Sequence, residues 1–256
     1  MLRRKFRTYL LIIISFCLVF LFNCNNNRFI ITGSIIDHNS VDISMSDSDI
    51  VSARNTKMYF EHASVGGNIS SGLDALSVSD SRYARSNFVF NSRGNPGNTA
   101  KIDQFYTDIT SNTPNPSLYS GLMFKFCYID DTFGGAGSVN DMDVLFSHVR
   151  SHMESLEAAY PDKVFVWWTM PIMTTGNANR DRYNMLVRNY CIENFRFLFD
   201  IADIESHDPS GIKHTQGGYE AMYSSYTSDG GHLNATGYNR VAKAFWQLAL
   251  KIAMRN

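Results

Sequence analysis

The sequence predicts an α/β fold, a three-layer α/β/α sandwich with a mostly parallel five-stranded sheet. Two observations lead there. Short apolar runs alternate with longer segments of helical period, as expected of a parallel sheet covered on both faces. The breaks between them carry Pro and Gly, as at Pro161, "GNPGN" and "TPNPS", which marks them as loops.

Taken in order, the predicted strands are "KMYFEH", "NFVFN", "GLMFKFCYI", "KVFVWWTM" and "RFLFDIAD". Between them the helical candidates are "GNISSGLDAL", "TAKIDQFYTDI", residues 139–159 and "NRDRYNMLVRNYCIENF". Leu145, Val149, Met153 and Leu156 recur at helical spacing in the third of these. A final helix is expected over residues 235–253, with Val241, Ala244, Phe245, Leu248 and Ile252 on one side. Ligands of an open parallel sheet bind at the carboxyl ends of its strands. That rim is expected to collect Ser64, Asp130, Thr169 and Glu205.

The first residues are set apart from this domain. Arg3, Arg4, Lys5 and Arg7 precede the apolar run "YLLIIISFCLVFLF", which has a signal peptide's shape. The run falls short of the about 20 apolar residues that span a bilayer. Residues 1–23 are therefore expected to be a signal peptide. Cleavage is expected before Cys24, because "LFNC" resembles a bacterial lipobox although Asn23 departs from the usual small residue. The expected product is an extracytoplasmic protein, lipid-anchored to a membrane through Cys24 or secreted. Residues 24–53 then read as a lipidated N-terminus and tether, with "FIITGSII" open to being an edge strand, and residues 54–256 as one domain.

The net charge of -1 and the lack of a basic run argue against a nucleic-acid partner. Cys127 and Cys191 remain after the first two of the four cysteines are spoken for. They are open to pairing in an oxidising compartment, and equally to packing as small hydrophobes.

Within "YFEHASVGGNIS" an apolar run collapses into glycines at Ser64. A strand that ends there and turns into a helix presents the hydroxyl on the rim, beside backbone N–H groups suited to a developing oxyanion. Such a hydroxyl is a weak nucleophile until a base takes its proton. "SDGGHLNATGYNRVAKAF" supplies Asp229 and His232 three residues apart, so that the carboxylate reaches one imidazole nitrogen while the other faces a nucleophile.

Together these stretches resemble the SGNH/GDSL hydrolase superfamily over most of residues 57–250, in a branch with a His-x-Ser-Val-Gly nucleophile block. "DGGHLNATG" is the closer match; "HASVGG" stands where the family name has Gly-Asp-Ser-Leu. The resemblance implies a flavodoxin-like sandwich and a serine esterase without a cofactor or metal. It makes Ser64 the nucleophile, His232 the general base and then acid, and Asp229 its orienting carboxylate. It also implies an oxyanion hole of the Ser64 N–H, a glycine N–H after the second strand, for which Gly94 is preferred to Gly97, and an asparagine amide. The usual Gly-x-Asn-Asp block is replaced by "CYIDD", which puts Cys127 and Ile129 at the Gly and Asn places. Asn98 or Asn68 fills the role, or the hole has fewer donors.

Lys125 lies inside an apolar strand and is expected to pair with Glu205 or Asp130. Glu205 and His207 read as rim residues, Arg182 and Asn184 as helix-surface residues. Tyr219, Tyr223 and Tyr226 are open to stacking on a sugar. The expected function is hydrolysis of an acyl or acetyl ester, on a carbohydrate or lipid. A catalytically inactive binding lipoprotein on the same fold is the alternative. A metal-dependent hydrolase built on His207, Asp208, His214, Asp229 and His232 is disfavoured, since no His-Glu-x-x-His spacing is present.

Overall fold

The computed structural model describes residues 33–131 and 140–255. The expected signal peptide, the lipidated Cys24 and the first residues of the tether lie outside the described residues. In chain order the elements are β1 (Ile35–Ile36), α1 (His38–Val41), α2 (Asp47–Asn55), β2 (Met58–His62), α3 (Val65–Ser79), β3 (Phe88–Ser92) and α4 (Asn98–Thr110). They continue with β4 (Gly121–Phe124), α5 (Met142–Ala159), β5 (Val164–Trp168), α6 (Ala178–Glu193), β6 (Phe197–Phe199), α7 (Ile201–Ser206), the hairpin β7 (Thr215–Gln216) and β8 (Tyr219–Glu220), and α8 (Ala235–Ala253). No helix among the described residues is long and apolar enough to cross a membrane.

The main sheet runs β1-β6-β5-β4-β2-β3, and every pairing in it is parallel. It has six strands where five were expected. The sixth comes from the segment read as a tether: Ile35 and Ile36 pair with Leu198 and Phe199. Residues that follow it also fold, and α1 and α2 both pack on α8. A two-residue strand lies below what periodicity detects, and α2 is mostly polar and exposed, which is why its composition reads as a tether.

Successive residues of a strand face opposite ways, and adjacent aromatics show the two layers. Tyr59 and Trp167 join the cluster formed with Ile102, Phe105, Leu145, Val149 and Tyr183 from α4, α5 and α6. Phe60 and Trp168 stack on each other at 4.8 Å on the opposite side, over Phe245 of α8.

Two predicted strands end early. The run "GLMFKFCYI" is strand only through Phe124, and Tyr128–Asp131 form a 3₁₀ turn. "RFLFDIAD" leaves the sheet at Phe199, where the Asp200 side chain accepts from the Asp203 N–H and caps α7. An apolar run alone does not distinguish a buried strand from a buried turn.

Candidate active site

Ser64 sits between β2 and α3 with φ 52° and ψ -114°. A left-handed φ is uncommon for a residue with a side chain and costs about 1–3 kcal/mol. The tight turn is closed by Gly66 N–H to Ala63 O at 3.1 Å and Gly67 N–H to Ser64 O at 2.7 Å. Gly66 has no freedom to be anything larger: a Cβ there would lie 2.3 Å from Cβ of His62 and 2.5 Å from its ring. His62 itself is buried between Phe60 and Phe90. Burial, aided by the charges of Lys125 and Arg85, pulls its pKa down to about 4. The histidine two residues before the serine is thus a neutral floor under the first turn of α3.

At the start of α8, Asp229 and His232 form one compact turn. Asp229 Oδ1 accepts from the N–H groups of Gly231 (2.9 Å) and His232 (2.8 Å). Asp229 Oδ2 accepts from His232 Nδ1 at 2.7 Å. The Gly231 N–H first, then the His232 N–H and imidazole, hold the Asp229 carboxyl well below the usual carboxylate range. With Nδ1 donating, Nε2 carries the lone pair, and Ser64 Oγ donates to it at 2.8 Å. The structure thus brings Ser64, His232 and Asp229 into one hydrogen-bonded line, 168 residues apart in sequence at its first link. The two segments are tied a second time where Leu233 N–H donates to Asn68 Oδ1 at 3.2 Å.

Tyr128 is the site residue that sequence reasoning missed. Its hydroxyl lies 3.2 Å from His232 Nδ1 and 3.4 Å from Nε2, and its ring stands nearly perpendicular to the imidazole, with centroids 5.2 Å apart. Gly231 leaves room for that ring, since a Cβ would come within 2.7 Å of it. Burial, then the Asp229 charge, raises the phenol's pKa, so the hydroxyl stays protonated. Its position directly before Ile129 in "CYIDD" was the available signal.

The oxyanion-hole candidates are placed differently. Asn98 is fully buried and its Nδ2 donates to Asp130 O at 2.8 Å, which commits that N–H to the turn after β4. Asn68 presents its oxygen to Leu233, as above. Gly94 lies beside Ala63 and Arg93 in the lining of a small cavity under the rim, together with Glu61, His62 and Lys125. Ile129 occupies the 3₁₀ turn.

That turn is a buried polar knot. Asp130 Oδ2 accepts from Lys101 Nζ at 2.5 Å and from the Cys127 N–H at 2.6 Å, and Asp131 pairs with Arg180 at 3.0 Å. Lys125 therefore does not take Asp130: its Nζ donates to Phe126 O at 3.0 Å, and burial lowers its pKa. Glu205 has no hydrogen bond to it either. It accepts from the Ile172 N–H at 2.8 Å, and desolvation pushes its carboxyl up to about 8.

The remaining expectations meet different outcomes. Asn184 is not a surface residue; it is fully buried and its amide holds both the N–H and C=O of Met170. Arg182 does lie on the surface, paired with Asp143. Thr169 donates to Asp200. His207 stacks on His38 at 3.7 Å. Tyr226 is buried with its hydroxyl on His207 O, so it cannot face a sugar. Cys127 and Cys191 are both free and buried. His207, Asp208, His214, Asp229 and His232 separate into independent pairs, Asp203 with His207, Asp208 with His214 and Asp229 with His232, so they do not converge on a common point.

No family model and no curated relative matches the sequence. Solved structures do. A chain from Desulfitobacterium hafniense, assigned to the lipolytic proteins of the G-D-S-L family, is similar with a TM-score of 0.51 at 11% identity, covering 76% of this chain and 99% of that one. A chain from Parabacteroides merdae, assigned as a GDSL-like lipase, is similar with a TM-score of 0.51 at 10% identity, covering 77% and 98%. At these identities the shared feature is the fold: the α/β sandwich of GDSL-type proteins.

Proposed function

We propose that the chain is a serine ester hydrolase whose nucleophile is Ser64. The observation that carries this is the line of hydrogen bonds Ser64 Oγ, His232 Nε2, His232 Nδ1 and Asp229 Oδ2, at 2.8 Å and 2.7 Å. The GDSL-type fold supports it.

In this reading Ser64 Oγ attacks the ester carbonyl carbon while its proton passes to His232 Nε2. Asp229 stabilises the imidazolium through Nδ1. The tetrahedral oxyanion gathers at the start of α3, where the Ser64 N–H and the Gly94 N–H are the proposed donors and the helix dipole favours negative charge. Collapse expels the alcohol, which takes the proton from His232. A water then repeats the sequence on the acyl enzyme and releases the acid. Tyr128 holds the imidazole from its face through both protonation states. An acyl or acetyl ester on a carbohydrate or lipid, met outside the cytoplasm by a protein anchored through Cys24, is the proposed setting.

The test is the intact mass of the protein after incubation with a fluorophosphonate. A single adduct on the parent, absent from Ser64→Ala and His232→Ala, is expected. A folded parent that takes no adduct would overturn the reading. That outcome would favour a binding protein on the same fold, a reading motivated by Ile129 at the expected asparagine place and by the Asn98 amide bonded to Asp130 O.

A further inference from the structure

A second group of chemically active side chains lies on the helical layer formed by α4 and α5 and shares no residue with the Ser64 line. His148 and His152 are one turn apart on α5, in "HVRSH", and Asp103 faces them from α4. The nitrogen and oxygen donor atoms of the three all lie within 4.8 Å of one another. Asp103 Oδ1 is 2.6 Å from His148 Nε2 and 3.5 Å from His152 Nε2.

The tautomer of His152 makes this arrangement informative. Its Nδ1 is 3.0 Å from the His148 carbonyl oxygen. A carbonyl only accepts, so Nδ1 carries a hydrogen, and in the neutral ring Nε2 turns its lone pair toward a carboxylate oxygen. Two lone pairs facing each other repel; a proton or a metal cation between them reverses the sign. The same bond does what the supporting hydrogen bond of a metal-ligating histidine does, fixing the ring and freeing the other nitrogen. The ring of Tyr106 packs edge-on against His152 at 4.6 Å and holds it further.

We infer that Asp103, His148 and His152 form a binding site for a borderline divalent ion of the Zn(II) type, with water as the fourth ligand. Histidines at i and i+4 on one helix face are the spacing that holds zinc in helical sites, and two imidazoles with one carboxylate are a zinc donor set. In a tetrahedral site with bonds near 2.0–2.1 Å, neighbouring donors are about 3.3 Å apart. The 3.5 Å contact already meets this, and the 2.6 Å contact opens as the metal takes the His148 Nε2 lone pair. In the neutral ring the Nε2 hydrogen moves to Nδ1, a change of tautomer with no net loss of a proton. The side chains are 21% exposed at His152, 36% at His148 and 50% at Asp103, so an ion enters without unfolding. Bound, it would clamp α4 to α5.

A comparison within the molecule sharpens the choice. His38, Asp203 and His207 are also close enough to share an ion, but their imidazoles stack with an interplanar angle of 8°, so their lone pairs lie in nearly parallel planes. The rings of His148 and His152 are inclined at 55°.

The experiment titrates the tag-free full chain with Zn(II) against a chromophoric chelator. One zinc per chain at micromolar protein is expected, with a higher unfolding temperature. Binding should be at least tenfold weaker in His152→Ala, His148→Gln and Asp103→Asn, and unchanged in His38→Ala. Should His152→Ala fail to fold, the two more exposed positions carry the test. Equal affinity in the parent and the three variants, no stoichiometric binding, or loss only in His38→Ala would each overturn the inference.

Discussion

Two turns on the same rim carry a carboxylate beside a basic side chain, and they do opposite things with it. At the start of α8 the Asp229 side chain is 57% exposed and His232 43%. After β4 the Asp130 side chain is 1% exposed and its partner Lys101 7%. The exposed pair sits in water, which screens it, and gains its order from backbone N–H groups within its own turn. The buried pair cannot be separated without leaving a charge in the core. A proton can move cheaply along the first and not within the second. In the proposed reading, positioning for chemistry and positioning for stability are thus kept in separate turns, joined by Tyr128, which begins the buried turn and leans on the exposed imidazole.

The contrast can be broken from either side. The largest effect should come from Ser64→Ala, which lowers ester turnover by about 10⁶-fold while the unfolding temperature stays level. Asp229→Asn should follow at about 10⁴-fold in kcat, again without loss of fold. On the buried side, Asp130→Ala should cost about 3–5 kcal/mol in denaturant unfolding by stranding Lys101; a cost below about 1 kcal/mol would show that the knot is not structural.

Glu205 gives a pH signature of the buried side. Its folded-state pKa of about 8 lies above the ordinary 4.5, so the folded protein holds more protons than the unfolded chain between those values. Stability from this group is therefore complete below about pH 4.5 and falls as pH rises toward 8, at a limiting slope of about 1.4 kcal/mol per pH unit and by an amount on the order of 5 kcal/mol in all. Glu205→Gln should flatten that slope in urea titrations at pH 5 and pH 8. The smallest effect belongs to Arg182→Ala on the surface, under about 0.5 kcal/mol.

The order of strands and helices was legible because the central sheet is apolar on both faces, and so was the bond between Asp229 and His232, three residues apart in one turn. What was not legible depends on distant partners. Lys101 takes Asp130 from 29 residues away, which no local pattern announces, and Asn184 looks like a helix-surface residue until Met170 is found against it. Tyr128 sits in an apolar run that reads as strand. The "HVRSH" spacing was overlooked for the same reason: its third donor, Asp103, comes from another helix, and a search for the local glutamate passes it by.

The pairing of Ile35 and Ile36 with β6 has a consequence for how the chain reaches this fold. The Leu198 N–H donates to Ser34 O and the Asp200 N–H to Ile36 O, so the first described strand waits for a partner made more than 160 residues later. During synthesis β1 therefore stays unpaired until β6 is made, and the outer edge of β6 finds its cover already on the chain. A chain begun at residue 52 would keep the Ser64 line intact and leave that edge open to another molecule. Its defect should be read in a sedimentation profile, as self-association, before it is read in any assay of turnover.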